Sequence, residues 1–194
     1  MGRKLSQLDQ SLTELLNEHT AWIKTSGKNG KRLDLSGFDL RDVIDLKSYS
    51  LTAIQAVDAN FINQNLQDIA MQSGTFDRSD FRDCNLTGAD LRGSSFKHAQ
   101  FARADLRGAV LCPLKFSNGG GERLQRLDLS GANLRYTDLS ECDLRDCILM
   151  GADLTGARLH NADLRRADFT GAITEHMILD GARMEDTVID LRGV

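Results

Sequence analysis

Residues 84–111 read CNLTG-ADLRG-SSFKH-AQFAR-ADLRG-AVL, and cut into fives they carry a large apolar residue at the third place of every unit. Leu86, Leu91, Phe96, Phe101, Leu106 and Leu111 are these centres. Neither standard element gives such spacing: an amphipathic helix repeats its apolar residues about every 3.6 places and a half-buried strand about every 2. A period of five suits a chain that turns a corner every few residues and stacks its corners into a column. Each unit then buries its apolar face only against its neighbours.

Working outward, the beat reaches back to Leu46 and on to Phe116, with Ala56 the only small centre of that block. It resumes at Leu129 and runs to Ile189, and Leu35 and Leu40 read as two earlier centres offset by one inserted residue. Two places before a centre the residue is usually small, as at Cys84, Ala89, Ser94, Ala132 and Ala162. The place just before it is often Asp or Asn, as at Asp90, Asn133 and Asp163, and Gly or Ser commonly follows. Asp and Asn tolerate turn geometry and bond their own backbone nearby, and Gly relieves a corner that needs positive φ. If twenty residues make one turn of the coil, Phe61, Phe81 and Phe101 share one column and Phe76, Phe96 and Phe116 the next. A turn of fifteen would scatter these aromatics.

With these residues in place the chain resembles the pentapeptide repeat family, whose pattern is Ala-(Asp/Asn)-Leu-X-X, over roughly residues 33 to 191. The resemblance implies an all-β solenoid, a right-handed quadrilateral β-helix of about seven four-repeat coils. At about 4.8 Å between stacked strands the repeats would build a rod roughly 34 Å long.

Two departures flank and interrupt the beat. Residues 5 to 26 predict an amphipathic helix, with Leu5, Leu8, Leu12, Leu15, Leu16, His19, Trp22 and Ile23 on one stripe and Gly27 at its end. The expected organisation is a helix over 1–27 and a repeat β-helix over 28–194. The helix is read as covering the open N-terminal end, whose unpaired backbone groups would otherwise invite aggregation; docking a partner is the other role it could serve. Between Phe116 and Leu129 eight residues are extra, and the insertion over 117–126 is polar and glycine-rich. It lacks the Gly-Lys-Ser/Thr ending of a phosphate loop. Asn118, Glu122, Arg123 and Arg126 are its candidate partner contacts, set against a reading as a tolerated insertion.

In the last coil Ile173, Ile178, Arg183 and Val188 stand where Asp or Asn is usual. The expected result is an exposed apolar girdle, joined by Ile148 and Met150, of the kind that marks an interface. Family members pair through their C-terminal ends, so the resemblance implies a homodimer with Ile173, Ile178 and Val188 at its interface.

Catalytic groups are not expected. His19, His98, His160 and His176 share no ligand spacing, and no nucleophile–His–carboxylate set can be assembled from the sequence. Three of the four cysteines, Cys84, Cys142 and Cys147, sit two places before a centre in the small-residue slot, which predicts buried thiols without a zinc spacing; Cys112 follows a centre and should face outward. No cofactor, metal or small-molecule substrate is implied. No apolar run approaches the ~20 residues of a membrane span, and no signal core follows the basic N-terminus, so a cytoplasmic location is expected.

The leading functional reading is a non-enzymatic protein-interaction rod with an unidentified partner. The alternative, taken from quinolone-resistance members of the family, is a DNA mimic acting on DNA gyrase or topoisomerase IV. A duplex about 34 Å long carries roughly 20 negative charges, whereas 28 acidic against 24 basic residues leave a formal net of −4 here. One face is expected to gather Arg78, Lys97, Lys115, Arg145, Arg165 and Arg166, and another Asp80, Asp83, Asp128 and Asp168. Interleaved acids and the lack of an outward aromatic ladder argue against direct nucleic-acid binding.

Overall fold

The computed structural model describes residues 2–4, 10–43, 45–117 and 121–189. Its repeats form coils joined by parallel bridges twenty residues apart, such as Thr75 to Ser95, Asp80 to Gln100, Asn85 to Asp105 and Asp90 to Val110. Four successive bridge positions complete one turn, so each coil has four walls, and the molecule has a β-helix-type fold. We number the walls by their centres: the first holds Phe76, the second Phe81, the third Leu86 and the fourth Leu91. Leu35 and Leu40 join the first and second walls through Asp34 to Gln55 and Asp39 to Asn60, one residue longer than the later steps, as expected.

The repeat has one hydrogen-bond grammar. The centre donates forward to the next coil (Leu91 N–H to the Val110 carbonyl, 2.9 Å), as does the corner two places later (Asp83 N–H to the Ala102 carbonyl, 3.2 Å). The residue before the centre donates backward (Asp90 N–H to the Ile69 carbonyl, 2.9 Å), and a turn joins each unit to the next (Ala89 N–H to the Leu86 carbonyl, 3.0 Å). These corners have positive φ, for example 59° at Asp83, 58° at His98 and 67° at Gly93. That is why Gly, Asp and Asn recur there.

The centres line the interior. Phe61 stacks on Phe81 at 4.5 Å and Phe81 on Phe101 at 5.0 Å, while Phe76 stacks on Phe96 at 4.9 Å. The small slot shares this interior, and its polar occupants are satisfied there. Ser94 Oγ donates to the Met71 carbonyl, Thr137 Oγ1 to the Phe101 carbonyl and Cys84 Sγ to the Phe61 carbonyl. Burial pushes the Cys84 and Cys142 thiols up to about 12, so neither is a thiolate near neutral pH. Cys147 is likewise buried, and Cys112 is half-buried.

Phe116 is a correction. It is 41% exposed and lies on a strand outside the coil, although it falls in phase with the beat. The chain leaves the coil after Leu111 and rejoins it at Leu127, both fully buried. The bridge from Ser95 reaches Asp128, 33 residues on where 20 is usual, so 13 residues are extra rather than eight. The excursion contains an antiparallel hairpin, β3 (Leu114–Ser117) with β4 (Glu122–Gln125), and begins before the expected 117–126. Beyond the insertion every residue therefore stands one wall away from its expected place. Asp128 and Asp168 lie on the first wall, apart from Asp80 on the second, while Arg145 and Arg165 flank centres of the fourth wall, apart from Lys97 on the first. Neither the expected basic face nor the expected acidic column exists as drawn.

At the N-terminal end, β1 (Arg3–Lys4) pairs in parallel with β2 (Phe38–Asp39), a strand addition the repeat pattern did not announce. The helix α1 spans Leu12–Lys24, later than the expected start, because Ser11 and Glu14 form a capping box. Leu5 and Leu8 lie outside the described residues. Gly27, at φ 85°, donates to the Trp22 carbonyl just past the helix end. His19 is fully buried and ties α1 to the first coils: its Nδ1 accepts from Leu33 N–H at 3.1 Å, and its Nε2 donates to the Thr52 carbonyl at 2.9 Å.

Two outcomes are expected. Phe81→Ala opens a cavity between Phe61 and Phe101 and lowers the unfolding free energy by about 3–5 kcal/mol, whereas Phe116→Ala changes it by less than about 0.5 kcal/mol; chemical denaturation measures both. Burial holds the His19 pKa below its ordinary 6.5, so the unfolded chain takes up its proton first as pH falls. The His19 contribution is intact above about pH 6.5 and is lost progressively below it. Unfolding midpoints recorded from about pH 7 to 5 should fall more steeply for the intact chain than for His19→Gln.

Candidate interaction surfaces

Most charge on the walls is paired within the repeat. Asp just before a centre and Arg just after it form forked pairs, as in Asp80–Arg82, Asp105–Arg107 and Asp163–Arg165 at 2.5–2.6 Å. Corner pairs link successive coils, as in Asp58–Arg78, Asp83–Arg103 and Asp146–Arg166 at 2.7–2.8 Å. The partner guanidinium holds the carboxyls of Asp83, Asp105, Asp146 and Asp163 below the usual carboxylate range. Exposed pairs of this kind add only about 0.2–1 kcal/mol each to stability. Their larger effect is to cancel the field of the walls.

The β3–β4 hairpin breaks this arrangement. Directly opposed residues share a side of the ribbon and neighbours alternate, so the register Leu114 to Gln125, Lys115 to Leu124 and Phe116 to Arg123 defines two sides. Leu114 and Gln125 lie against Gly93, where a Cβ would sit 2.9 Å from the Leu114 Cβ. Lys115 and Leu124 face the other way and, with Cys112, Pro113, Arg145, Asp146 and Arg166, line a cleft of about 200 Å³. Arg126 Nε donates to the Asp146 carbonyl. Glu122, Arg123 and Arg126 are exposed as expected, and Asn118 lies outside the described residues. Lys115, the 41%-exposed Phe116 and the 56%-exposed Leu124 were missed as contact residues. Apolar and charged residues alternating on both sides of a glycine run are a hairpin signal, which the in-phase Phe116 masked.

The terminal coil carries the apolar residues where they were expected. Ile173, Ile178 and Val188 are 47%, 44% and 55% exposed, and Met150 is exposed one coil earlier. They occupy the outward positions held by Asp153, Arg158 and Asp168 in the coil before. Among the described residues no three His, Cys, Asp or Glu side chains gather to hold a metal ion, and no helix is long and apolar enough to cross a membrane.

No curated protein matches the chain. Among solved structures, HetL, a pentapeptide repeat protein involved in heterocyst differentiation regulation from the cyanobacterium Nostoc sp. strain PCC 7120, is 27% identical over 80% of each chain, with a TM-score of 0.38. A trypsin-treated form of QnrB1, a plasmid-mediated fluoroquinolone resistance protein, is 19% identical over 84% of this chain and 86% of that one, at a TM-score of 0.47. The pentapeptide repeat protein Rfr23 from the cyanobacterium Cyanothece 51142 is 21% identical over 70% and 91%, at 0.24. The family profile described as pentapeptide repeats matches residues 76–111, 121–151 and 147–186 in eight copies, more than half of the 194 residues. With its five-residue beat stacked into four-walled coils, the chain belongs to the pentapeptide repeat family.

Proposed function

We propose that the chain is a non-enzymatic protein-interaction rod whose contact surfaces are the β3–β4 hairpin and the terminal coil. In this reading the fold is a right-handed quadrilateral β-helix, α1 caps its N-terminal end, the girdle of Ile173, Ile178 and Val188 pairs two copies, and the protein works in the cytoplasm. The observation that carries it is the contrast between the hairpin and the walls. Lys115 and Arg123 project without a carboxylate partner among the described residues, beside exposed Phe116 and Leu124, from walls most of whose arginines are ion-paired. Recognition groups commonly ride on a projecting segment held by a rigid scaffold.

The DNA-mimic reading is the weaker one, because forked Asp–Arg pairs neutralise the walls that a mimic would need to keep negative. Added at micromolar concentration, the protein should leave gyrase supercoiling unchanged; inhibition would favour mimicry instead.

Replacing residues 114–125 by a short glycine linker should leave the unfolding midpoint within a few degrees, since both coil ends of the excursion are held by the ladder. In pull-downs from the native organism, the same deletion should lose the partner that the intact chain captures. A partner retained by this deletion and also by Ile178→Asp with Val188→Asp would overturn the assignment of these surfaces.

A further inference from the structure

The excursion leaves the coil at the corner after Leu111 and stands between two levels of the rod. One side of its ribbon, through Leu114 and Gln125, lies against Gly93 at the same corner one coil earlier. The other side, through Lys115 and Leu124, overhangs the corresponding corners of the next two coils, Asp146 and Arg166, and encloses the cleft of about 200 Å³ with them. Pro113 and the 56%-exposed Leu124 supply apolar surface to this cleft, and Lys115, Arg145 and Arg166 its cations.

Two of those cations are already occupied. Arg145 holds Asp143 through Nε and Nη2 at 2.7 and 2.6 Å, and Arg166 holds Asp146 in the same way at 2.8 and 2.7 Å. Lys115 is exposed and forms no ion pair with a described residue, so it is the lining charge left without a counter-ion. Glu122 shares its side of the ribbon but stands nearer the tip, outside the cleft lining. Phosphate is recognised best by a free guanidinium fork, and neither fork here is free. The cleft is also smaller than the roughly 300–1,000 Å³ of sites for drug-sized ligands, a size that suits a side chain and its neighbour. Cys112, also in the lining, is no nucleophile: burial and its hydrogen bond to Asp143 push its pKa up, so it presents a neutral S–H.

We propose that this cleft receives an acidic side chain and its apolar neighbour from a partner protein, the carboxylate on Lys115 and the apolar group against Leu124 and Pro113. The proposal rests on the reading of the hairpin as a contact surface, and it names the chemistry that this surface accepts. The Nη1 groups of Arg145 and Arg166, which bond no described residue, are the remaining donors for the same carboxylate. Phe116 and Arg123 lie on the other side of the ribbon and take no part. A nucleic acid would bring phosphates to a site whose forks are filled and whose lining holds no aromatic ring for a base to stack on.

Cys112 is the one of the four thiols that is not buried, so its alkylation by N-ethylmaleimide, located by mass spectrometry, reads occupancy of the cleft. The probes are N-acetyl-Glu-Leu-amide, its Gln-Leu counterpart, inorganic phosphate and a mixed-sequence single-stranded DNA oligonucleotide, each added to the full chain. The Glu-Leu peptide should slow alkylation saturably. It should do so at a concentration about two- to fivefold lower than the Gln-Leu peptide, the advantage of an exposed ion pair, and raised salt should shrink that advantage. Lys115→Gln should abolish the preference and Leu124→Ser should weaken both peptides; both residues are exposed, and circular dichroism checks that the fold is kept. No protection by the Glu-Leu peptide, equal protection by Gln-Leu, or stronger protection by phosphate or the oligonucleotide overturns the proposal. Any of these results leaves the hairpin deletion free to lose its captured partner, so failure of the cleft and failure of the contact surface are told apart.

Discussion

The inter-coil ladder is the constraint on which everything else depends. Each five-residue unit bonds forward twice and backward once to its neighbours, so no unit completes its backbone hydrogen bonding alone. The ladder fixes a spacing at which stacked rings come within 4.5–5.0 Å of each other. It also holds corners at positive φ for residues as large as Tyr136 and Arg166. Conformations that would be strained in isolation are thus maintained by the collective pairing. Burial of the Leu and Phe centres, about 1.5–3 kcal/mol apiece before chain entropy, supplies the driving force that this geometry organises.

A scaffold of this kind leaves little of its regular surface free for recognition. The positions flanking each centre point outward, and Asp and Arg there satisfy each other in the same unit, as Asp80 and Arg82 do. On the proposed reading, specific contacts fall where the repeat is broken. Among the described residues the outer surface is broken at the excursion between Leu111 and Leu127 and at the terminal coil, where Ile and Val replace Asp and Arg. The first end is tied differently, by β1 and by the two-sided contact of His19.

Much of the coil was legible in the amino-acid order because its determinants are local and repeated. The phase of Phe61, Phe81 and Phe101 announced four units per turn, and the rings do stack in that column. The small slot, the outward apolar residues of the terminal coil and the offset at Leu35 were readable for the same reason. The excursion was not. Phe116 has the right residue type at the right interval, and periodicity carries no information about whether the chain is still in the coil. That single misplacement moved every later side chain to the neighbouring wall, which is why the expected basic and acidic faces dissolved. The candidate contacts Glu122, Arg123 and Arg126 were found as a loop, but their sidedness and their neighbours Lys115 and Leu124 required the strand register.

By itself the sequence determined the period, the inward residues and the corner chemistry, because these repeat within five residues and each unit poses the same packing problem. Only the tertiary structure decided which wall each side chain occupies, how α1 is locked through His19, and which side of the hairpin each of its residues takes. The reason is that those outcomes depend on the accumulated register across coils and on pairings between residues far apart in the chain. Such relations arise only when the coils are stacked.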